Sequence, residues 1–147
     1  MKLGLVANRS GAKFFKQTAG QQGWQVMKSF DNPEGRLRNR DVYQDSPGRT
    51  GGPIAHGLAS ERDAHVIAGE KFASELAGEL ETGRQSKLFT ELMLVADPRF
   101  LGELRAALST ETAKLVVGTL GRDFAHTSDR DVANQLTEAF SNLEPVL

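Results

Sequence analysis

The sequence predicts one α/β domain over residues 1–147, built on a mixed sheet of about five strands. Two observations predict this class. The first thirty residues alternate apolar and polar side chains in short bursts, which is the period of a β-strand. After residue 59 the apolar residues recur every four positions, as in amphipathic helices, and strand-like runs separate the helical stretches. The expected order is an antiparallel meander of three strands, followed by helix, strand, helix, strand and helix.

The meander is predicted by strands near 2–8, 12–18 and 24–30. Turn residues separate them at 8–11, which reads Asn-Arg-Ser-Gly, and at 20–23, which reads Gly-Gln-Gln-Gly. Short turns of this kind join antiparallel neighbours, so the three strands are expected to pair in sequence order.

A long amphipathic helix follows. Ser60 and Asp63 form a pair like a capping box and predict its start, and Gly83 predicts its end. Its apolar stripe consists of Ala64, Ala68, Phe72, Leu76 and Leu80, broadened by Ile67.

The second half of the chain predicts two more strands, each followed by a helix. Residues 88–96 are a nearly continuous apolar run, typical of a central strand covered on both faces. Asp97 and Pro98 are an N-cap and a first-turn proline, and the helix that follows carries Phe100, Leu101, Leu104 and Leu108.

The next strand is expected at 113–120. Ser128, followed by Asp131, predicts the start of the last helix, whose inward face carries Val132, Leu136 and Phe140. Strands joined through helices should pair in parallel, by right-handed crossovers.

Composition excludes several classes of protein. The chain has no cysteine, which excludes disulfide scaffolds, thiolate zinc sites and cysteine nucleophiles. Only about five apolar residues precede Asn8, too few for a signal peptide. No run approaches the roughly 18 apolar residues of a membrane-spanning helix. A cytoplasmic protein without a membrane segment is therefore expected.

Charge is unevenly distributed. Residues 1–50 carry nine Lys and Arg against four Asp and Glu, whereas residues 51–147 carry nine against fifteen. A basic front half is typical of a surface that meets a polyanion, and it is also a common outcome of scattered, solvated charge. Both interpretations stand at this point.

A Gly/Arg-rich insertion at 31–59 interrupts the regular pattern. Connections longer than roughly 12–15 residues inside compact domains are commonly functional, so the insertion is the first place to look for a site. Arg36, Arg38 and Arg40 alternate with other residues and would project from one side of an extended chain. Arg49 adds a fourth cation beside Gly51 and Gly52, where backbone can approach a ligand closely.

These features predict a phosphate or RNA contact, with Tyr43 able to stack on a base. An alternative is that Glu34, Asp41 and Asp45 pair with the same arginines and that Tyr43 anchors the loop to the core.

Three strings, the first of them in the insertion, carry a family resemblance. The strings NPEGRLRNRDVYQDSPGR, EKFASEL and LMLVADPRFLGELRAAL, in this order, resemble the bacterial host-attachment protein family. That family is in turn remotely similar to the middle domain of eukaryotic and archaeal peptide chain release factors. The resemblance implies an α/β fold of the release-factor middle-domain type and an association with RNA or the ribosome.

In release factors the corresponding loop ends in a Gly-Gly-Gln tip that promotes hydrolysis of peptidyl-tRNA. This chain has Gly51, Gly52 and Pro53 instead. Proline offers neither a backbone N–H nor a side-chain amide to orient water, so the resemblance implies binding without that catalysis.

Other candidate chemistry is sparse. His56, His65 and His126 fit no metal-binding pattern, and the common serine-hydrolase, phosphate-loop and dinucleotide motifs are missing, so no metal, cofactor or catalytic residue is expected. Asp97 and Arg99 follow a strand, where open α/β sheets bind ligands, although the favoured interpretation takes Asp97 as an N-cap and Arg99 as a first-turn surface residue. A neighbouring strand end contributes Gly118, Thr119 and Gly121 to the same expected crevice.

Three functional hypotheses follow. The first is a noncatalytic module that binds RNA or the ribosome. The second is an intracellular protein-interaction factor that acts indirectly on attachment to host cells. A hydrolase built on His56, Asp97 and Arg99 ranks last, and a homodimer is compatible with each of the three.

Overall fold

The computed structural model describes residues 1–18, 20, 23–36, 54–124 and 126–143, with the backbone alone for 35–36 and 54–65. The strands are β1 Lys2–Asn8, β2 Gly11–Gln17, β3 Gln25–Asp31, β4 Glu91–Ala96 and β5 Val116–Gly121. The helices are α1 Pro33–Arg36, α2 Ile54–Gln85, α3 Pro98–Ala107, α4 Thr110–Ala113 and α5 Asp129–Ser141.

The five strands form one mixed sheet in the order β3-β2-β1-β4-β5. The pairs β1 with β2 and β2 with β3 are antiparallel, and β4 pairs in parallel with both β1 and β5. This arrangement confirms the predicted meander and the predicted parallel pairing of the later strands. Each of the first three strands lies within one residue of its predicted bounds.

Helices cover both faces of the sheet. On one face, α2 and α3 bury a large core against β1 and β4, formed by Phe72, Leu76, Leu80, Phe100, Leu104, Leu3, Leu5, Leu92 and Leu94 among others. On the other face, α5 packs Val132, Leu136 and Phe140 against Phe15, Met93 and Val95. Every residue of β4 after Glu91 is buried, which confirms the prediction of a central strand covered on both faces.

The predicted start of the long helix is wrong. The helix α2 begins at Ile54, so Ser60 and Asp63 lie inside it, and the last six residues of the predicted 31–59 insertion are helical. The segment contains Ala55, Leu58 and Ala59, which are good helix formers, and lacks a proline. Serine and aspartate are compatible with a helix interior, so a capping-type pair alone does not start a helix there.

The predicted end of α2 at Gly83 is also wrong, because the helix continues to Gln85. Lys87 adopts a left-handed conformation with φ 59°. Its N–H donates to the Arg84 carbonyl at 3.0 Å, and the Leu88 N–H donates to the Gly83 carbonyl at 2.8 Å, which is a Schellman ending. Gly83 instead lies close to Phe89, since a Cβ there would be 3.2 Å from Phe89 Cε1, a tight contact.

Ile67 does not join the buried stripe of α2, and 61% of it is exposed. It lies on the same side of the helix as Lys71, Ser74 and Gly78, which follow it at intervals of four, seven and eleven residues and are exposed. The inward positions Ala68, Phe72, Leu76 and Leu80 are confirmed, and the side chain of Ala64 lies outside the described part.

The later elements are shifted slightly at their starts. β4 begins at Glu91 instead of 88, and β5 begins at Val116 instead of 113. Residues 110–113 form the short helix α4 because the Ser109 hydroxyl caps it, accepting from the Thr112 N–H at 3.1 Å. The caps Asp97 and Ser128 are confirmed.

Within the described residues, none of the helices has the length and apolar character needed to cross a membrane.

Candidate functional site at the carboxyl edge of the sheet

Four strands end on the same side of the sheet. β3 is antiparallel to β2, which is antiparallel to β1, so β3 runs in the direction of β1, β4 and β5. We call this side, where these strands end at Asp31, Asn8, Ala96 and Gly121, the carboxyl edge. The opposite side, where β4 and β5 begin, is the amino edge. Ligands of open α/β sheets bind beyond the carboxyl ends of the strands, so this edge is the candidate site.

Asn8 organises the turn between β1 and β2. Its Oδ1 accepts from the backbone N–H groups of Ser10 at 2.7 Å and Gly11 at 3.1 Å, an Asx turn. Its Nδ2 donates to Asp123 Oδ1 at 3.1 Å. Asn8 therefore ties the first turn of the chain to the loop between β5 and α5.

The insertion starts at the same edge. The Asn32 N–H donates to the Ser10 carbonyl at 2.8 Å, and Asn32 Nδ2 donates to the Arg9 carbonyl at 2.7 Å. The helix α1 follows directly, packs against α2 and ends at Arg36. The arginine-bearing segment thus leaves the described fold at the carboxyl edge.

A cleft of about 250 Å³ opens beside this point. Its apolar surface comprises Val6, Ala7, Ala12, Phe15, Phe30, Phe124 and Val132, and its polar surface comprises Asn8, Ser10, Lys13, Ser29, Asp31, Asp123, Thr127 and Asp129. Lys13 Nζ lies 2.6 Å from Asp129 Oδ1, and both side chains are about half exposed. The cleft therefore combines an apolar floor with both hydrogen-bond donors and acceptors.

The start of α3 lies beside the start of the loop that follows β5. Asp97 Oδ2 accepts from the Phe100 N–H at 3.2 Å, and Pro98 occupies the first turn, so capping engages the Asp97 carboxylate. A Cβ on Gly121 would lie 3.5 Å from Pro98 Cγ, which shows that the end of β5 contacts the start of α3. Arg99 and Arg122 flank this contact, and both are exposed.

Arg130, in the first turn of α5, is also exposed at this edge. Within the part of the chain that the structure describes, none of Arg99, Arg122 and Arg130 has an ion-pair partner. Guanidinium groups in this situation are available to an anionic ligand.

Arg9 has a different role. Its Nη2 lies 2.6 Å from Glu103 Oε1, and the two side chains are only 12% and 16% exposed. Glu103 Oε2 is buried without a hydrogen bond to the described residues. This pair links α3 to the turn between β1 and β2. The role of Arg9 is therefore structural, because its guanidinium group is engaged by Glu103.

At the amino edge, Glu81 fastens α2 to the connection between α3 and α4. Its carboxylate accepts from Ser109 Oγ at 2.7 Å, from Thr112 Oγ1 at 2.8 Å, and from Arg84 Nη2 at 2.5 Å. These hydrogen bonds lower the pKa of Glu81 to about 2. The bond from Arg84 has the largest effect, followed by those from Ser109 and Thr112. The network stabilises the fold and lies away from the candidate site.

Only some of the site residues predicted from the sequence lie at the carboxyl edge in the described structure. Asp97, Arg99 and Gly121 do lie at the carboxyl edge, whereas Gly118 packs within the sheet against Met93 and Leu143. Of the insertion residues, Arg36 ends α1 with its side chain outside the described part, and Arg38, Arg40, Tyr43, Arg49, Gly51 and Gly52 lie outside the described residues.

The three histidines are separated in the described backbone. His56 and His65 belong to α2, and their side chains are not described, while His126 is exposed between β5 and α5. The described side chains include no group of three His, Cys, Asp or Glu residues that could hold a metal ion.

Sequence reasoning missed the residues of the cleft. Asn8 was recognised as a turn residue, but its link to Asp123 spans 115 positions. The available signal was the position of Asn8, Asp31 and Asp123 directly at or after strand ends, once those strands are known to run in the same direction.

Residues 5–136 match the profile of a family described as "Protein required for attachment to host cells". No curated protein matches the chain.

Proposed function

The chain belongs to the family of proteins required for attachment to host cells, and we propose that it is a noncatalytic RNA-binding module that holds phosphates at the carboxyl edge. The observation that carries this proposal is the convergence of four strand ends at one edge. The arginine-bearing insertion begins at this edge after β3, and the exposed residues Arg99 and Arg122 follow β4 and β5 at the same edge.

Several elements contribute cations to the same edge. Arg99 comes from α3, Arg122 from the loop after β5, and Arg130 from α5. The insertion, which starts at this edge with Asn32, carries Arg36, Arg38, Arg40 and Arg49 in its sequence, and we propose that they face the same ligand. A guanidinium group can bind a phosphate through two parallel hydrogen bonds, so several arginines suit a nucleic-acid backbone. Arg36 ends the helix α1, so the extended row predicted from the sequence does not include it.

Binding without hydrolysis is supported by the insertion sequence and by the capping of α3. If the insertion corresponds to the release-factor loop, as the resemblance implies, Pro53 follows Gly51 and Gly52 where that mechanism requires glutamine. The Asp97 carboxylate, the principal acidic group of a hydrolase at this edge, accepts a hydrogen bond from the Phe100 N–H. A module of this kind would affect attachment to host cells indirectly, from inside the cell, through an RNA or the ribosome.

The direct test is binding of a fluorescent single-stranded RNA at several salt concentrations. For single strands the slope of log K against log salt changes by roughly 0.7 for each phosphate contact. Substituting Arg36, Arg38 and Arg40 by Ala should therefore reduce the slope by about 2 and weaken binding at low salt.

A matched control removes three cations from near the amino edge. The substitutions Lys87→Asn, Arg105→Ala and Lys114→Ala change the net charge equally, and Asn tolerates the left-handed backbone at position 87. This control should keep the wild-type slope. Absence of RNA binding, or equal loss in both triple variants, would refute the proposal and favour the protein-interaction alternative. Co-sedimentation with ribosomes distinguishes the ribosome from free RNA as the target.

A further inference from the structure

We propose that Asn8 is a positioning residue for RNA binding, and that it acts through Asp123 by holding Arg122 in place at the carboxyl edge. The inference rests on the proposed function, in which Arg122 is one of the cations that bind phosphates. It assigns a role in binding to a side chain that need not touch the RNA.

The backbone of Arg122 is held on both sides. Gly121, which precedes it, is the last residue of β5 and pairs with Ala96 of β4. Asp123, which follows it, accepts a hydrogen bond from Asn8 Nδ2 at 3.1 Å. Consecutive Cα atoms are about 3.8 Å apart, so these two anchors fix the point from which the Arg122 side chain extends.

The link from Asn8 to Asp123 joins segments that are not neighbours in the sheet. β4 lies between β1 and β5, and the two linked residues are 115 positions apart in the sequence. A second link, from Lys13 Nζ to Asp129 Oδ1 at 2.6 Å, ties β2 to the start of α5. The connection between β5 and α5 is therefore anchored on the first two strands near both of its ends.

Asn8 is itself oriented by the turn that it forms. Its Oδ1 accepts from the N–H groups of Ser10 and Gly11, and this fixes the amide plane with Nδ2 directed at Asp123. Aspartate at this position would keep the turn, because its carboxylate can accept the same two hydrogen bonds. It would lose the donor and place a second carboxylate against Asp123. The substitution Asn8→Asp therefore removes the link without removing the turn.

Arg122 is suited to the role that the link serves. It is exposed, and among the described residues it has no ion-pair partner. An arginine whose backbone is already fixed loses less conformational freedom when a phosphate binds, and affinity rises through this preorganisation. Loss of the link should therefore weaken RNA binding without removing any contact to the RNA.

The test compares the wild type with Asn8→Asp and with the exchanged variant, which combines Asn8→Asp with Asp123→Asn. The exchanged variant has the net charge of the wild type and again places one donor against one acceptor, in reversed order. Asn8→Asp should weaken binding of the single-stranded RNA about fivefold to tenfold, the scale of one hydrogen bond, and the exchange should recover most of this loss. NMR relaxation of the backbone amides of residues 122–124, measured without RNA, should show higher mobility in Asn8→Asp and the wild-type mobility in the exchanged variant.

A second comparison repeats Asn8→Asp in the Arg122→Ala variant. If Asn8 acts through Arg122, the further loss of RNA affinity should shrink to about twofold or less, because the residue that it positions is gone. An effect of the added negative charge, or of general destabilisation, would persist at its full size.

Three results would each overturn the inference: equal losses with and without Arg122, an exchanged variant that binds RNA as weakly as Asn8→Asp, or unchanged mobility of residues 122–124 in Asn8→Asp. RNA binding by the wild type would then show that the proposed function still stands. If the wild type binds no RNA, the proposed function fails, and the role of Asn8 in binding fails with it.

Discussion

Substituting Gly4 by alanine tests how closely α5 approaches the sheet. Gly4 lies in the central strand β1, and a Cβ there would lie 2.8 Å from Leu136 Cδ2 and 2.9 Å from Leu136 Cδ1. Favourable carbon contacts are about 3.5–4.0 Å, so one of the two groups must move by roughly 0.7 Å or more. Leu136 is completely buried, which leaves it little room to change rotamer.

The expected cost follows from these distances. Overpacking a filled core costs about 1–3 kcal/mol, and the reduced freedom of the unfolded chain after Gly→Ala offsets about 0.4–1 kcal/mol. We therefore expect Gly4→Ala to lower the free energy of unfolding by about 1–2 kcal/mol, measured by urea denaturation. The control is Gly102→Ala, at an exposed site in α3 with no heavy atom within 4 Å of the new Cβ. It should stabilise the protein by about 0.5–1 kcal/mol.

A double-mutant cycle with Leu136→Ala tests the same contact from the other side. Alone, Leu136→Ala should cost about 2–5 kcal/mol because it leaves a cavity in the buried core. In the Gly4→Ala background the new methyl group partly fills that cavity, so the double variant should be more stable than the sum of the single effects predicts. Additive effects, or a Gly4→Ala variant as stable as the wild type, would refute the described packing of α5 on β1.

Three further predictions concern the contacts that hold the elements together. The low pKa of Glu81, about 2 against an ordinary 4.5, means that its network stabilises the fold above about pH 4.5 and loses this effect as the pH falls through 2. The stability difference between wild type and Glu81→Gln should therefore be constant near neutral pH and vanish in acid, and a pH-independent difference in urea unfolding would contradict this. Arg9→Ala should cost about 3 kcal/mol by leaving Glu103 without its partner, and the double variant Arg9→Met, Glu103→Leu should recover most of the loss; denaturation midpoints that fall equally in both would count against a buried pair. Ser128→Ala should lower the free energy of unfolding by about 1 kcal/mol through loss of the α5 N-cap, and an unchanged midpoint would show that the cap contributes nothing.

The regular elements could be predicted because their signals are local. The alternation around Leu3 and Leu5 places these residues on one face of β1, and both are buried. The Asp97 and Ser128 caps were likewise found from short patterns, since the side chain and the N–H it binds are only three residues apart. Capping patterns fail where the chain on both sides favours a helix, as it does around Ser60 in α2.

The candidate site was only partly predictable because its residues come from distant segments. Asp97 and Arg99 follow a clear strand and could be assigned to its end. The pair Asn8 and Asp123 could not, since sequence does not show that β1 and β5 end at the same edge with β4 between them. Lys13 and Asp129 are likewise 116 positions apart.

The central claim is that RNA contacts the carboxyl edge, and photocrosslinking tests it most directly. A single-stranded RNA containing 4-thiouridine would be crosslinked to the full chain, and the attached peptides would be identified by mass spectrometry. We expect crosslinks in residues 8–13, 30–40, 97–99 and 121–130, at the carboxyl edge and the start of the insertion. Crosslinks confined to the amino edge, at residues 109–116 for example, or no crosslinks at all, would contradict the account.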